Sequence, residues 1–319
     1  MNTETLAARF GQNTAVVISH IADDPARVLT AVQYAALGNR KVVLAQVAAA
    51  PRRAIPNGGP RRRKLASPAA QNASATRPPQ WASTWSEILS RVFLLGKVPL
   101  EEIPQTVRTL GAQQLLLSSP QLAEEFWETT NTFETAETLA APVWVLGPKI
   151  AAPVPKQIKR ILMPLAFGIG FERPLKLASQ IAGAWGATVA ILHVVAPEEN
   201  AWREPSSSLT ANGRLQQFLQ RLCDAHCRLE LSIRGGDPAE AILKFDELEP
   251  HDLILLTCPE EFGVHRPFHG ATRRILHEAR CPVLLTRPDP EPRQRAVDLL
   301  IAQSPSQQPM FGRVSGVVQ

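Results

Sequence analysis

The sequence predicts an α/β fold built as two similar domains, and three observations support this. The chain has 319 residues, and at roughly 100–200 residues per domain this length suggests two domains. Its apolar runs are short and continuous, which is typical of parallel strands that helices cover on both faces. Two segments of the chain also align with each other without a gap, which indicates an internal duplication.

The duplication is clearest in a helix-then-strand segment. The sequence VPLEEIPQTVRTLGAQQLLLSSP (98–120) aligns with DPAEAILKFDELEPHDLILLTCP (237–259), and APVWVLGP (141–148) aligns with CPVLLTRP (281–288). A weaker match pairs AVVISH with RILMPL. Each long segment opens with a proline and a first-turn glutamate, as a helix N-terminus favours. One large α/β domain is the alternative, and the repeat argues against it.

Each half contains five candidate strands, most of them separated by candidate helices. The strands are expected at 15–19, 42–47, 92–95, 114–118 and 142–146, and then at 160–165, 188–195, 229–233, 253–257 and 282–286. The helices are expected at 25–37, 81–90, 100–110 and 121–139, and then at 172–185, 208–227, 238–248 and 270–279. This alternation predicts a mainly parallel sheet flanked by helices in each domain.

Proline-rich segments set the expected domain boundaries. The linker is placed at KIAAPVPKQ (149–157), because its prolines cannot continue a helix or a central strand. The domains are therefore predicted at 1–150 and 157–288. Residues 48–80, rich in Pro, Ala, Gly, Ser and Arg, are expected to form a disordered insertion, and 289–319 a flexible tail.

The positive charge of the chain is concentrated in that insertion. The formal net charge is +5, and residues 48–80 hold no acidic residue. Their basic residues are Arg52, Arg53, Arg61, Arg62, Arg63, Lys64 and Arg77. We expect a solvated loop, with contact to an anionic partner (nucleic acid, lipid or an acidic protein) as the alternative. Interleaved aromatic residues are missing, which disfavours sequence-specific nucleic-acid binding.

Several classes of protein are disfavoured by what the sequence lacks. No apolar run approaches the ~20 residues of a membrane span, and the start lacks the pattern of a secretory signal, so a cytoplasmic protein is expected. Cys223, Cys227, Cys258 and Cys281 show no disulfide framework. Cys223 and Cys227 beside His226 could form half a metal site, but no second ligand pair with zinc spacing follows, so structural thiols are favoured. No nucleophile elbow, P-loop or H-E-x-x-H motif is found. We therefore expect neither a metal site nor an enzyme.

The second half resembles the universal stress protein (UspA-like) family almost from end to end. The resemblance rests on RILMPLAFGIGFERPLKLASQIAGAWGATVAILHVV (160–195), GGDPAEAILKFDELEPHDLILL (235–256) and HGATRRILHEARCPVLLTRP (269–288). It implies Rossmann-like domains of the adenine nucleotide alpha hydrolase type, each with a five-stranded parallel sheet. It also implies tandem or dimeric arrangements and roles in stress response and signalling. Some members of the family bind ATP and others do not.

The resemblance also implies where a nucleotide would bind. Members that bind one carry an Asp after the first strand and a G-x2-G-x9-G-[ST] pattern after the fourth. Here Ala166 stands in place of the Asp, Thr257 and Glu260 replace two glycines, Gly270 keeps the third, and Ala271 replaces the hydroxyl residue. If a nucleotide binds, the residues expected to contact it are Ala166, Phe167, Val194, Thr257, Cys258, Gly270, Ala271 and Thr272.

The lost residues matter because of their chemistry. Glycines let backbone N–H groups approach phosphates, whereas the Glu260 carboxylate would repel them. Arg273 and Arg274 could offset part of that repulsion, as could His265, Arg266 and His269. In the first half, SSPQLAEEFWETTNTFETAETL (118–139) has no glycine and five glutamates. It is interpreted as a helix with an exposed acidic face.

These observations together predict a non-catalytic protein of stress response or regulation. It would act through protein association or self-association, including pairing of its two domains as a pseudo-dimer, and its nucleotide site would be vestigial. No cofactor is expected. The alternative is a signalling switch that binds ATP or AMP in the cleft of the second domain, and a small-molecule enzyme using the same cleft is a weaker third interpretation.

Overall fold

The computed structural model describes residues 13–21, 23–47, 90–130, 141–150, 153–165, 171–195, 228–257 and 270–286. The chain divides into two compact units. Unit 1 comprises Met1–Ser118 and Thr135–Ala141, and unit 2 comprises Ser119–Glu134 and Pro142–Gln319. Residues 119–134 and 142–150 thus group with unit 2, although the sequence analysis assigned them to the first domain. The domain boundaries at 150 and 157 stay predictions.

Unit 1 contains four described strands in one parallel sheet. The strands are β1 (Thr14–His20), β2 (Lys41–Val47), β3 (Val92–Lys97) and β4 (Gln114–Leu117). Their order is β3-β2-β1-β4. The helices are α1 (Pro25–Ala35) and α2 (Ile103–Thr109), and a 3-10 turn at Leu100–Glu102 precedes α2.

The central strand of unit 1 explains the continuous apolar runs. Ala15, Val16, Val17 and Ile18 of β1 are all fully buried, so both faces of the strand are covered. A parallel strand with both faces covered has no solvent side on which polar residues could alternate. The pattern that predicted β1 is therefore a direct consequence of its burial.

Unit 2 contains the predicted five-stranded parallel sheet with one further strand. The strands are β5 (Val143–Val145), β6 (Arg160–Leu165), β7 (Thr188–Val195), β8 (Arg228–Gly235), β9 (Leu253–Thr257) and β10 (Val283–Thr286). Their order is β5-β10-β9-β6-β7-β8. The pairing of β5 with β10 is antiparallel, and the other pairings are parallel. The predicted α/β fold class is confirmed.

Four described helices belong to unit 2. They are α3 (Pro120–Thr130), α4 (Glu172–Trp185), α5 (Pro238–Leu248) and α6 (Gly270–Glu278). Asp237 caps α5 by accepting a hydrogen bond from Glu240 N at 2.9 Å, and Pro238 stands in the first turn. This is the helix start that the repeated Pro and Glu predicted. None of the described helices is long and apolar enough to cross a membrane.

A few predicted elements differ from the structure or lie outside the described residues. The helix predicted at 100–110 begins as a 3-10 turn, and the α-helix starts at Ile103 with Pro104 in its first turn, where the missing N–H is tolerated. The helices predicted at 81–90 and 208–227 lie outside the described residues. The same holds for the insertion at 48–80 and the tail at 289–319.

Candidate functional site

A cavity of about 200 Å³ opens at the carboxyl ends of three parallel strands of unit 2. Leu165 at the end of β6, Val194 near the end of β7 and Thr257 at the end of β9 form one wall. Parallel strands present their carboxyl ends at the same edge of a sheet, and ligands of open α/β sheets bind at such an edge. This cavity is therefore the candidate site.

Two helices form the facing wall. Ala271, Thr272 and Ile275 line the cavity from the first two turns of α6, and Pro238 and Ile242 line it from the start of α5. Ile242 and Ile275 are buried. Most of the described lining is aliphatic or aromatic, and the two threonine hydroxyls, of Thr257 and Thr272, are the polar side-chain groups among those described residues.

The structure brings four of the eight predicted nucleotide-site residues together. Val194, Thr257, Ala271 and Thr272 all line this cavity. Gly270 begins α6 with φ +53°, a left-handed conformation that favours glycine, and a Cβ there would meet open space. The remaining predicted residues, Ala166, Phe167 and Cys258, lie outside the described residues, as does Glu260. A nucleotide at this site stays a prediction.

The two arginines beside the cavity are already paired with carboxylates. Arg273 Nε donates to Glu124 Oε1 of α3 at 2.9 Å. Arg274 donates to Glu278 Oε1 at 3.2 Å and to Asp237 Oδ1 at 3.4 Å. The two arginines that could offset the repulsion by Glu260 therefore have carboxylate partners within the protein.

Comparison with known proteins identifies the unit that carries this cavity. Residues 157–287 match the model of the universal stress protein family. This segment is a universal stress protein domain. No curated protein matches the chain.

Two solved structures resemble a larger part of the chain. A universal stress protein from Archaeoglobus fulgidus DSM 4304 has a TM-score of 0.56 at 12% identity, over 87% of this chain and 99% of its own. A protein from Pseudomonas aeruginosa UCBPP-PA14, provisionally assigned to the same family, has a TM-score of 0.50 at 14% identity, over 92% of this chain and 96% of its own. At these identities the likeness establishes the fold alone.

Outside the universal stress protein domain, unit 1 holds a polar cluster that the sequence analysis missed. The Ser118 hydroxyl donates to Asp23 Oδ2 at 2.6 Å, and His20 N donates to the same oxygen at 3.0 Å. Arg27 Nε donates to the carbonyl of Ser118 at 2.6 Å. Burial lowers the pKa of the Arg27 guanidinium, and the charges of Asp23 and Asp24 partly oppose this.

This cluster occupies the carboxyl ends of β1 and β4, the position in unit 1 that corresponds to the cavity edge in unit 2. The carboxylate accepts from the Ser118 hydroxyl and from His20 N, and the guanidinium donates to the Ser118 carbonyl, so the cluster ties β1, β4 and α1 together. Its signal in the sequence is that Asp23 follows a predicted strand and Ser118 ends another. Because Asp23 and Ser118 are 95 positions apart in the chain, the sequence did not predict that their side chains form a hydrogen bond.

A second buried polar pair lies in the universal stress protein domain, away from the cavity lining. His251 Nδ1 is 3.1 Å from Asp246 Oδ1, and the His251 ring stacks on Phe245 with centroids 5.7 Å apart. Cys281 is buried and free. Burial raises the pKa of its thiol well above the ordinary value, and the charges of Asp246 and Asp252 raise it further. A buried thiol held protonated is a poor nucleophile and a poor metal ligand.

No group of three or more His, Cys, Asp or Glu side chains suited to a metal ion occurs among the residues that the structure describes. Cys281 is buried, and its side chain therefore packs in the core of unit 2.

Proposed function

We propose that this protein is a non-catalytic universal-stress-protein-like protein of stress response or regulation, which acts by associating with other protein molecules. Its nucleotide cleft is vestigial in this proposal. The observation that supports it most is the pairing of Arg273 and Arg274 with Glu124, Asp237 and Glu278 beside the cavity. A triphosphate at this cleft would need cations, and the two arginines on the helix that lines it are engaged.

The energies of these ion pairs, compared with the repulsion of a phosphate by a carboxylate, support the same proposal. Each of these arginine–carboxylate pairs is partly exposed, so each one contributes only about 0–1 kcal/mol to stability. A phosphate could in principle displace a carboxylate. It would then lie within a few ångströms of that carboxylate, where like charges repel by about 1–4 kcal/mol depending on screening.

The test is a search for nucleotide in the purified full-length protein. Denaturing extraction followed by chromatography should yield no stoichiometric adenine nucleotide, and calorimetric titration with ATP and Mg²⁺ should give no saturable heat. Incubation with ATP should release neither ADP nor phosphate above a blank. Tight stoichiometric ATP would contradict a vestigial cleft, and nucleotide turnover would contradict a non-catalytic protein.

Association is tested separately by sedimentation velocity across a concentration series and by affinity capture from stressed cells. The Ala271→Glu variant places a carboxylate on the cavity wall at the start of α6, and Ala184→Glu places one on the exposed side of α4. Both variants should associate as the unmodified protein does if the cleft has no part in association. Loss of association in Ala271→Glu alone would instead assign the cleft an active part.

A switch that binds ATP or AMP is the second candidate, because Val194, Thr257, Ala271 and Thr272 converge on one cavity as the family's nucleotide site implies. Under this alternative, calorimetry detects ATP or AMP binding to the unmodified protein and to Ala184→Glu. Binding to Ala271→Glu would be lost, because the new carboxylate would stand against the phosphates.

A further inference from the structure

The chemistry of the cavity lining suits an uncharged molecule. Leu192 and Leu256 of the sheet and Phe171 ahead of α4 add to the apolar wall, and all three are buried. Among the described lining residues no side chain carries a charge. An ionised ligand placed there would lose hydration without a charged partner to compensate, whereas apolar surface gains free energy by entering.

The two arginines on the cavity helix do not make the cavity more favourable for an ionised ligand. Arg273 and Arg274 extend from the helix that carries Ala271, Thr272 and Ile275, yet neither lines the cavity. Their guanidinium groups make hydrogen bonds to Glu124 and Glu278 at 2.9 and 3.2 Å. Their side chains remain partly exposed, and their ion pairs lie at the protein surface.

The volume indicates the size of the group that the cavity can take up. At about 200 Å³ the cavity is somewhat larger than an apolar cavity of ~150 Å³ that accepts benzene in another protein. One or two fused rings fit such a volume. The Thr257 and Thr272 hydroxyls supply one or two hydrogen bonds, enough to orient a ring N–H or a carbonyl.

We propose that this cavity binds a small, uncharged, largely apolar ring compound, of benzene to indole size. The inference deepens the proposed function, because it names a ligand class for the cleft and rests on that cleft having lost its phosphate chemistry. Ring binding packs the occupant between the sheet edge at Leu165, Val194 and Leu256 and the α6 wall at Ala271 and Ile275.

The proposal is tested with 5-fluoroindole and the full-length protein, followed by ¹⁹F NMR of the ligand. Addition of the protein should broaden and shift the fluorine signal in a saturable way, and unlabelled indole should reverse the change. ATP and AMP at the same concentration should leave it unaltered. Two cavity-filling variants approach from opposite walls, Ala271→Leu from α6 and Val194→Phe from β7.

Each filling variant should weaken 5-fluoroindole binding by about tenfold or more, because it occupies the space the ring would take. The matched control is Ala184→Leu, which makes the first of these changes at an exposed position of α4 outside the cavity lining. It should bind as the unmodified protein does. Circular dichroism and the melting temperature confirm that each variant is folded.

Three outcomes would overturn the proposal. They are no saturable change with the unmodified protein, unaltered binding in both folded filling variants, and displacement of 5-fluoroindole by ATP. The first two leave the vestigial-cleft proposal intact if ATP also fails to bind. Displacement by ATP would overturn both proposals, so the two failures can be told apart.

Discussion

The Arg273 guanidinium and the Glu124 carboxylate meet at 2.9 Å although 149 positions separate them in the chain. His277 Nε2 lies 3.3 Å from the same carboxylate oxygen. Glu124 belongs to α3, and both of its partners lie on α6, the helix that lines the cavity. A single carboxylate from the first half of the sequence therefore fixes α3 against the cavity helix of unit 2.

Replacing this carboxylate should loosen α3. We expect Glu124→Gln to lower the free energy of unfolding by about 0.5–1 kcal/mol, because Arg273 is 60% exposed and solvent screens the pair. Hydrogen exchange measured by mass spectrometry should show faster exchange in 120–130 than in the unmodified protein. The control is Glu128→Gln on the same helix, at an exposed position, which should leave exchange in that segment unchanged. Equal effects of the two variants would exclude a specific role for Glu124.

The chain after β5 also lies close to α6. A Cβ built on Gly147 would stand 3.0 Å from the Leu276 carbonyl oxygen and 3.1 Å from that of Ala279. Both neighbours are backbone oxygen atoms, which cannot move away by a change of side-chain rotamer as a flexible side chain could. Gly147→Ala should therefore cost about 1–3 kcal/mol of stability, measured by urea denaturation.

Gly183 provides the opposite case for the same substitution. It lies within α4, and a Cβ there meets nothing within 4 Å. Gly183→Ala should stabilise the protein by about 0.4–1 kcal/mol, since alanine restricts the unfolded chain and suits a helix. If Gly147→Ala were as stable as the unmodified protein, the close approach of that segment to α6 would be disproved.

The sheet was predictable from the sequence because burial on both faces removes polar residues from the strands. Continuous runs such as AVVIS and LILLT therefore located β1 and β9 within one or two residues. The parallel arrangement followed from the alternation with helices. The antiparallel pairing of β5 with β10 was not predictable, because short apolar sequences such as VWV and VLLT do not distinguish parallel from antiparallel pairing.

The site was predictable only in part. The family resemblance named Val194, Thr257, Ala271 and Thr272, and all four line one cavity, but contact with a nucleotide stays a prediction. Partners far apart in the chain were not foreseen. Glu124 was interpreted as part of an exposed acidic face, yet its side chain is only 26% exposed and pairs with Arg273. Only the packing of α3 on α6 decides which glutamate of that helix is used.

The cluster at Asp23 and Ser118 should behave as a coupled pair. The hydroxyl-to-carboxylate bond of 2.6 Å is charge-assisted and partly buried. A double-mutant cycle of Asp23→Asn and Ser118→Ala, followed by urea denaturation, should give a coupling energy of about 1–2 kcal/mol. Additive effects of the two substitutions would mean that the contact does not stabilise unit 1.

The buried thiol of Cys281 should make stability fall at alkaline pH. Burial raises its pKa above the ordinary value of 9.0, so the folded protein retains this proton at pH values where the unfolded chain has lost it. The unfolded state then binds fewer protons, and the free energy of unfolding decreases as pH rises through 9, by up to ~1.4 kcal/mol per pH unit for one proton. Below that range both states keep the proton and the full stability is present.

Urea midpoints at pH 7.5, 9 and 10 measure this dependence, with Cys281→Ala as the comparison. The variant should be less stable at pH 7.5, because it leaves a small void, but it should lose less stability between pH 7.5 and 10. A second measurement uses iodoacetamide at pH 8.5 and peptide mapping. Cys281 should remain unmodified in the folded protein and react once urea exposes it, because alkylation requires an accessible thiolate. Rapid labelling of Cys281 without denaturant, or parallel pH dependences in the two proteins, would contradict a buried, protonated thiol at this position.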